Sequence, residues 1–150
     1  MSSRMVRVGV LGAVVALSLV AAGCSSDGDE ASGPTKVQVG LKEWSFAPDR
    51  TEAPAGRITF QVENRGKEVH ELVLFKSDLA PADLPRDEDG AVDERGAGVK
   101  LVDEVEDVKP GETKAFTVDV GKGKYVMACN IVENGQVHYD HKMYHSFTVN

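Results

Sequence analysis

The sequence predicts an all-β protein, an antiparallel β-sandwich of Greek-key type, with a leader before it and an acidic insertion within it. Three observations predict this fold class. Six or seven short segments alternate apolar and polar residues, turn residues such as Gly, Pro, Asn and Asp separate them, and the segments lack a sustained apolar period of 3.6 residues. Together these patterns are typical of a sandwich built from hairpins and longer connections.

The first 23 residues are predicted to be a signal peptide. Arg4 and Arg7 precede a run of sixteen uncharged residues, which is shorter than the ~20 that a spanning helix needs. Residues 21–24, Ala-Ala-Gly-Cys, resemble the lipobox of bacterial lipoproteins, which implies cleavage before Cys24 and a lipid on its sulfur. Acyl chains would then hold the protein on the extracytoplasmic face of the cell membrane. Plain secretion is the alternative.

Residues 24–34, rich in Ser, Gly and Asp, are predicted to be a flexible tether to a domain spanning 35–150. Removing residues 1–23 takes away two arginines and no acidic residue, so the formal net charge changes from −7 to −9. An acidic surface argues against nucleic acid as a partner and favours a basic or polar one.

Three strand segments precede the insertion. Residues 36–48, KVQVGLKEWSFAP, alternate apolar and polar positions, and the turn residues of PDRTEAPAG follow them. The next two segments are 57–64, RITFQVEN, and 68–76, EVHELVLFK, which has His70 near its start. Both are predicted to be strands, with the turn NRGK between them.

Residues 77–110 are rich in Asp, Glu, Gly and Pro and have weak apolar patterning. We expect an acidic excursion there, with at most a short helix around 78–84 or 99–106. Acidic runs of this kind are usually solvated. A docking surface for a redox partner is the other interpretation, and the sequence does not choose between them.

Three more segments complete the predicted sandwich. Residues 112–120 alternate apolar and polar positions, and 124–130, KYVMACN, form a strongly apolar strand that ends at Cys129. The chain closes with 145–150, HSFTVN. The thiol of Cys129 is therefore expected at the end of a strand, where the sheet would hold it rigidly.

The four histidines of the chain fall next to two of these strand ends, at positions 70, 138, 141 and 145. With Cys24 acylated, Cys129 is the one remaining thiol, and an unpaired thiol in an oxidising compartment is a liability unless it is buried or bound. Met143 lies in the same C-terminal segment. Thiolate, thioether and imidazole suit copper, and two histidines with one cysteine and a weak axial methionine form the blue-copper pattern.

The segment GKYVMACN…HYDHKMYHSFTV resembles the C-terminal signature of the cupredoxins, and NRGKEVHELVL resembles the other metal-binding segment of that family. The resemblance implies one type 1 copper ion, with His70, Cys129 and His138 as equatorial ligands and Met143 as the axial one. Four residues separate His138 from Met143, as in the family.

Other residues near the predicted site are less favoured as ligands or depart from the family pattern. His141 and His145 are rival or second-site ligands. Eight residues separate Cys129 from His138, where the family has two to four, so ENGQ is an apparent loop insertion. Lys142 stands where Gly is common. Asn64 and Asn130 are candidates for hydrogen bonds near the thiolate.

The resulting functional prediction is a membrane-anchored, extracytoplasmic, monomeric one-electron carrier that serves a redox partner protein and binds no nucleic acid. It is not predicted to be an enzyme, because Met143 is placed to close the metal site. Two alternatives remain open at this point: a lipoprotein that binds or delivers copper without an electron-transfer role, and a metal-free β-sandwich interaction module.

Overall fold

The computed structural model describes residues 33–150, so the predicted signal peptide, Cys24 and most of the predicted tether lie outside the described residues. The strands in chain order are β1 (Thr35–Lys42), β2 (Ser45–Pro48), β3 (Glu52–Ala53), β4 (Gly56–Asn64), β5 (His70–Ser77), β6 (Val99–Val108), β7 (Thr113–Val120), β8 (Gly123–Ala128), β9 (Val132–Glu133), β10 (Gln136–Val137) and β11 (Tyr144–Val149). A 3₁₀ helix, His138–His141, precedes β11. Within 33–150 no helix has the length and apolarity needed to cross a membrane.

Two main sheets form the sandwich, and the predicted all-β fold is confirmed. One sheet has the strand order β2-β1-β4-β7 and the other the order β3-β11-β8-β5-β6, while β9 and β10 form a separate small hairpin. Most neighbours are antiparallel, but β1 pairs with β4 and β11 pairs with β3 in parallel. The sheets are therefore mixed. A parallel pair needs a crossover connection, and the segment containing β2 and β3 provides it by leaving one sheet for the other.

The core lies between the two sheets because alternate residues of each strand point into it. In β1 and β4 the inward residues are paired in register, with Val37 opposite Phe60 and Val39 opposite Val62. Phe60 reaches across the sandwich to Phe147 of β11, with ring centroids 5.5 Å apart. Cys129 and Met143 belong to this same buried cluster. The predicted metal-binding sulfur atoms therefore lie on residues at the edge of a closely packed core.

The predicted insertion differs from the expectation in two ways. Neither predicted helix forms, since residues 78–84 adopt turns and 99–106 belong to β6, which pairs with β5 at the edge of the larger sheet. The acidic side chains of β6 hid its strand pattern, although charges are a normal feature of an edge strand. The remaining residues, 78–98, are called the packed excursion below.

The packed excursion covers the outer face of the larger sheet. Leu84 and Val92 are buried there in a second apolar cluster, against Val73 and Phe75 of β5 and Val126 of β8. Consequently β5 is buried on both faces. Aspartate side chains complete the turns of the packed excursion: Asp87 accepts hydrogen bonds from the backbone of Asp89 and Ala91. The acidic composition reflects turn formation as well as solvation.

Replacing Leu84 by Ala tests this packing, because the side chain is only 3% exposed. We expect the free energy of unfolding to fall by about 2–5 kcal/mol, the usual cost of such a truncation in a core. Leu79→Ala in the same segment, at a residue 38% exposed, is the matched control and should cost much less. Chemical denaturation followed by circular dichroism measures both. Equally small losses would mean that the packed excursion does not pack on the sheet.

Candidate metal centre

Strand pairing brings the two predicted metal-binding segments together. β5 and β8 are antiparallel, with Val73 opposite Ala128, so the beginning of β5 and the end of β8 lie at the same end of the sheet. His70 is the first residue of β5, and Cys129 directly follows β8. The chain then continues through residues 129–143, called the site loop below. His138 begins the 3₁₀ helix in that loop.

The side chains of His70, Cys129 and His138 converge on one another at this end of the sheet. Sγ of Cys129 lies 3.2 Å from Nδ1 of His138 and 4.0 Å from Nδ1 of His70. The two Nδ1 atoms are 3.3 Å apart. All three residues are buried, and their candidate ligand atoms lie within 4.8 Å of one another. Two nitrogen atoms and one sulfur atom thus face a single point that is shielded from water.

Burial sets the protonation of these three groups. It lowers the pKa of His70, against the opposing effect of Glu43, and it lowers the pKa of His138 to about 4, with His70 and His141 adding to the effect. Both imidazoles are therefore neutral at pH 7 and have a lone pair for a metal. Burial also raises the pKa of the Cys129 thiol to about 12. A bound cation would displace that proton, because a coordinating thiol is deprotonated.

The long spacing between Cys129 and His138 does not separate them in space. Residues 132–137 fold into the β9–β10 hairpin, whose Asn134-Gly135 turn has positive φ at both residues, as a tight hairpin requires. The backbone N–H of His138 donates to the carbonyl of Ile131 at 3.0 Å and closes the hairpin at its base. The ENGQ insertion therefore projects from the site loop as a hairpin. Cys129 and His138, on either side of the hairpin, remain close together.

Backbone hydrogen bonds also fix Met143 beside the cluster. Its carbonyl accepts from the N–H of Cys129 at 3.1 Å, and its own N–H donates to the carbonyl of His138 at 3.3 Å. The side chain of Met143 is fully buried. Lys142, just before it, has φ of 67°, a left-handed conformation that favours glycine. This backbone requirement explains why glycine suits that position.

The packed excursion braces the site loop from outside. Tyr139 donates its hydroxyl proton to the carbonyl of Pro81 and accepts from the backbone N–H of Leu84. Arg86 forms an ion pair with Asp140. The sequence did not decide whether this segment is a solvated insertion or a docking surface. In the structure, the packed excursion supports the 3₁₀ helix that carries His138.

The two asparagines hold loops rather than the sulfur atom. Asn64 donates to the carbonyls of Glu68 and Val108, both at 2.7 Å, and accepts from the N–H of Gly66. This fixes the turn before His70. The side chain of Asn130 exchanges two hydrogen bonds with the backbone of Val92. Both side chains thus bond to backbone atoms and orient the segments that carry the cluster.

The remaining two histidines lie outside the cluster. His141 is exposed and stacks on the indole of Trp44, with centroids 4.2 Å apart and planes inclined by 14°. His145 donates from Nδ1 to the carbonyl of Ser146 at 2.7 Å. Trp44 also contacts the ring of His138 edge-on at 4.8 Å, so it covers one side of the cluster.

Glu43 is a site residue that the sequence analysis did not identify. It lies with Trp44 in the turn between β1 and β2, and its Oε1 atom is 3.3 Å from Nε2 of His70. Partial burial opposes ionisation of Glu43, but hydrogen bonds from the backbone of Glu68 and Lys67 outweigh this and lower its pKa to about 2. A single glutamate in a turn gives no periodic signal, so only the fold reveals it.

The chain belongs to the cupredoxin-like domain family, whose family model matches residues 13–138 and thus includes His70, Cys129 and His138. In this cupredoxin-like chain the three buried residues are positioned as a copper site. This family membership agrees with the resemblance seen in the two predicted metal-binding segments. A comparison with curated protein sequences gives no match.

Solved structures of auracyanins have a similar fold. Reduced auracyanin from the photosynthetic bacterium Roseiflexus castenholzii is 21% identical, with a TM-score of 0.56 over 77% of this chain and 97% of that one. Auracyanin A from Chloroflexus aurantiacus, a "blue" copper protein, is 22% identical, with a TM-score of 0.54 over 79% and 100%. Auracyanin B is 18% identical, with a TM-score of 0.54 over 77% and 88%. At identities this low, the structural matches show a shared fold alone.

Proposed function

We propose that this protein is a one-electron carrier that binds a single type 1 copper ion and is held by a lipid on Cys24 at the extracytoplasmic face of the cell membrane. The observation that supports it best is the buried convergence of His70, Cys129 and His138 within 4.8 Å. These would be the equatorial ligands and Met143 the axial one, a donor set typical of electron-transfer copper. Bound copper supplies a couple that takes up and releases one electron.

The residues of the chain would keep the site unchanged between the two oxidation states. The backbone of Cys129 is hydrogen-bonded to Met143, and that of His138 to Ile131 and Met143. Because these atoms are buried and already hydrogen-bonded, neither the site loop nor the surrounding water has to rearrange when the charge changes. A small rearrangement is what a fast electron carrier needs, and it favours this role over catalysis at an open metal position.

The edge of His138 is the proposed route for electrons. His138 lines a groove of about 440 Å³ between the turn before β5 and the β9–β10 hairpin. Lys67 and Glu68 form one wall, and Glu133 and Gln136 form the other. A redox partner protein that presents polar or basic groups fits the acidic chain, whose formal net charge is −7 before any cleavage. Binding to nucleic acid is disfavoured by the same charge, and we expect the carrier to be monomeric.

Copper delivery is the alternative role. It would favour exposed ligands that a recipient protein reaches directly, yet the three clustered residues are buried and Trp44 covers one side of them. Exposed His141, stacked on Trp44, is the feature that a delivery function would use. A metal-free interaction module would have no use for two buried imidazoles beside a free thiol. Electron transfer therefore accounts for more of the structure.

Copper titration of the full chain tests the proposed metal site. We expect an intense thiolate-to-copper charge-transfer band in the visible spectrum and a small copper hyperfine splitting in the EPR spectrum. Cys129→Ser should abolish the band, because it removes the sulfur donor. Met143→Leu, which conserves volume, should keep the band and raise the reduction potential, because it removes only a weak axial donor. Weak absorbance that Cys129→Ser leaves unchanged would contradict the electron-carrier function.

Replacing Cys24 by Ser tests the proposed anchor. We expect the wild-type chain to sediment with the membrane fraction of an expressing bacterium and to incorporate labelled fatty acid. The variant should lose the label, because serine offers no thiol to acylate. It should also no longer sediment with the membrane fraction. A wild-type protein found only in the secreted soluble fraction would refute the lipid anchor and support plain secretion, without bearing on the copper site.

A further inference from the structure

The carboxylate of Glu43 is held by hydrogen bonds beside the Nε2 atom of His70. Its Oε1 atom accepts hydrogen bonds from the backbone N–H groups of Lys67 at 2.6 Å and Glu68 at 2.8 Å, and lies 3.3 Å from Nε2 of His70. His70 is fully buried. One oxygen atom therefore connects three donors: two in the turn before β5 and one on a proposed copper ligand.

The turn before β5 has a shape that admits this carboxylate. A Cβ atom at position 66 would collide with Oε1 of Glu43 and would lie 2.9 Å from its Cδ, so glycine leaves the necessary space. The neighbouring backbone is tied to the first sheet as well, because the N–H of Arg65 donates to the carbonyl of Leu41 at 2.8 Å. Glu43 thus joins the β1–β2 turn to the segment that carries His70.

The contact with Glu43 selects one tautomer of His70. A carboxylate only accepts hydrogen bonds, so the Nε2 atom that faces it must carry the proton. The lone pair is then on Nδ1, the atom that faces Cys129 and His138. A carboxylate bound to the far nitrogen of a metal-ligating histidine both orients the ring and raises its basicity.

The second histidine of the cluster has a weaker version of this arrangement. Nε2 of His138 faces Oε2 of Glu68 at 3.8 Å, which is beyond hydrogen-bonding distance. The side chain of Glu68 is 46% exposed, whereas that of Glu43 is 26% exposed. Solvent screens an exposed charge more than a partly buried one. Of the two carboxylates, Glu43 therefore has the larger influence on the site.

We propose that Glu43 is a positioning residue that fixes His70 as the Nε2–H tautomer and that its negative charge stabilises the oxidised site more than the reduced one, lowering the reduction potential. The second half of this inference rests on the proposed function. The sign follows from charge alone, since a nearby anion favours Cu(II) over Cu(I).

Glu43→Gln tests the charge, because glutamine has the same shape and its side-chain oxygen accepts the same hydrogen bonds. In the copper-loaded full chain, we expect the ratio of Cu(II) affinity to Cu(I) affinity to fall about tenfold, in the range typical of such partners. For a one-electron couple this is a rise of ~59 mV in reduction potential. Voltammetry measures the shift directly.

Glu52→Gln is the matched control. It removes the same charge from an exposed position in β3, opposite Thr148, at the end of the larger sheet away from Cys129. We expect its reduction potential to stay close to that of the wild type. A shift in Glu43→Gln no larger than in Glu52→Gln would overturn the electrostatic half of the proposal.

The tautomer is tested in the wild-type protein without metal, so that neither copper binding nor the folding of a variant enters the result. Nitrogen-15 NMR shifts of the His70 ring distinguish the two neutral forms, and we expect the Nε2–H form to predominate. Finding the Nδ1–H form would overturn the positioning role. A wild-type protein without a thiolate–copper band would refute the proposed function and with it the effect on potential, while the NMR result would still decide whether Glu43 positions His70.

Discussion

The structure of the site depends on one backbone hydrogen bond, from the N–H of Cys129 to the carbonyl of Met143 at 3.1 Å. It extends the antiparallel pairing of β8 and β11 by one step beyond Ala128 and Tyr144, so the site loop leaves and rejoins the sheet at the same point. The pairing of β8 with β5 sets the position of His70. The strand pairing at one end of the sheet therefore determines where the thiol and one imidazole lie. The loop has only to return His138 to them.

Three local features of the structure bring His138 back to the other two residues. The β9–β10 hairpin removes the extra residues from the loop, the 3₁₀ helix turns the chain back towards β11, and the packed excursion holds Tyr139 from outside. A cupredoxin-like site is thus kept despite a longer loop. Rigidity of this kind is consistent with electron transfer, because the protein then contributes little to the reorganisation that accompanies a change of charge.

The sequence predicted the fold and three clustered residues because these depend on strong local signals: alternating strands, a thiol at a strand end, and histidines at two strand ends. It did not predict β6, where four acidic residues mask the alternation, or the burial of Leu84 and Val92, which are isolated apolar residues among charges. Glu43 and the covering role of Trp44 depend on contacts between loops far apart in the chain. Such contacts have no sequence period, and only the folded structure reveals them.

In the proposed carrier, the fold holds two imidazoles and one thiolate in a fixed arrangement around a copper ion in both oxidation states. X-ray absorption at the copper edge, recorded on the oxidised and the reduced full chain, tests it most directly. We expect the same two nitrogen neighbours and one short sulfur neighbour in each state, with closely similar distances. Loss of the sulfur neighbour, or a change in the number of nitrogen neighbours on reduction, would contradict it.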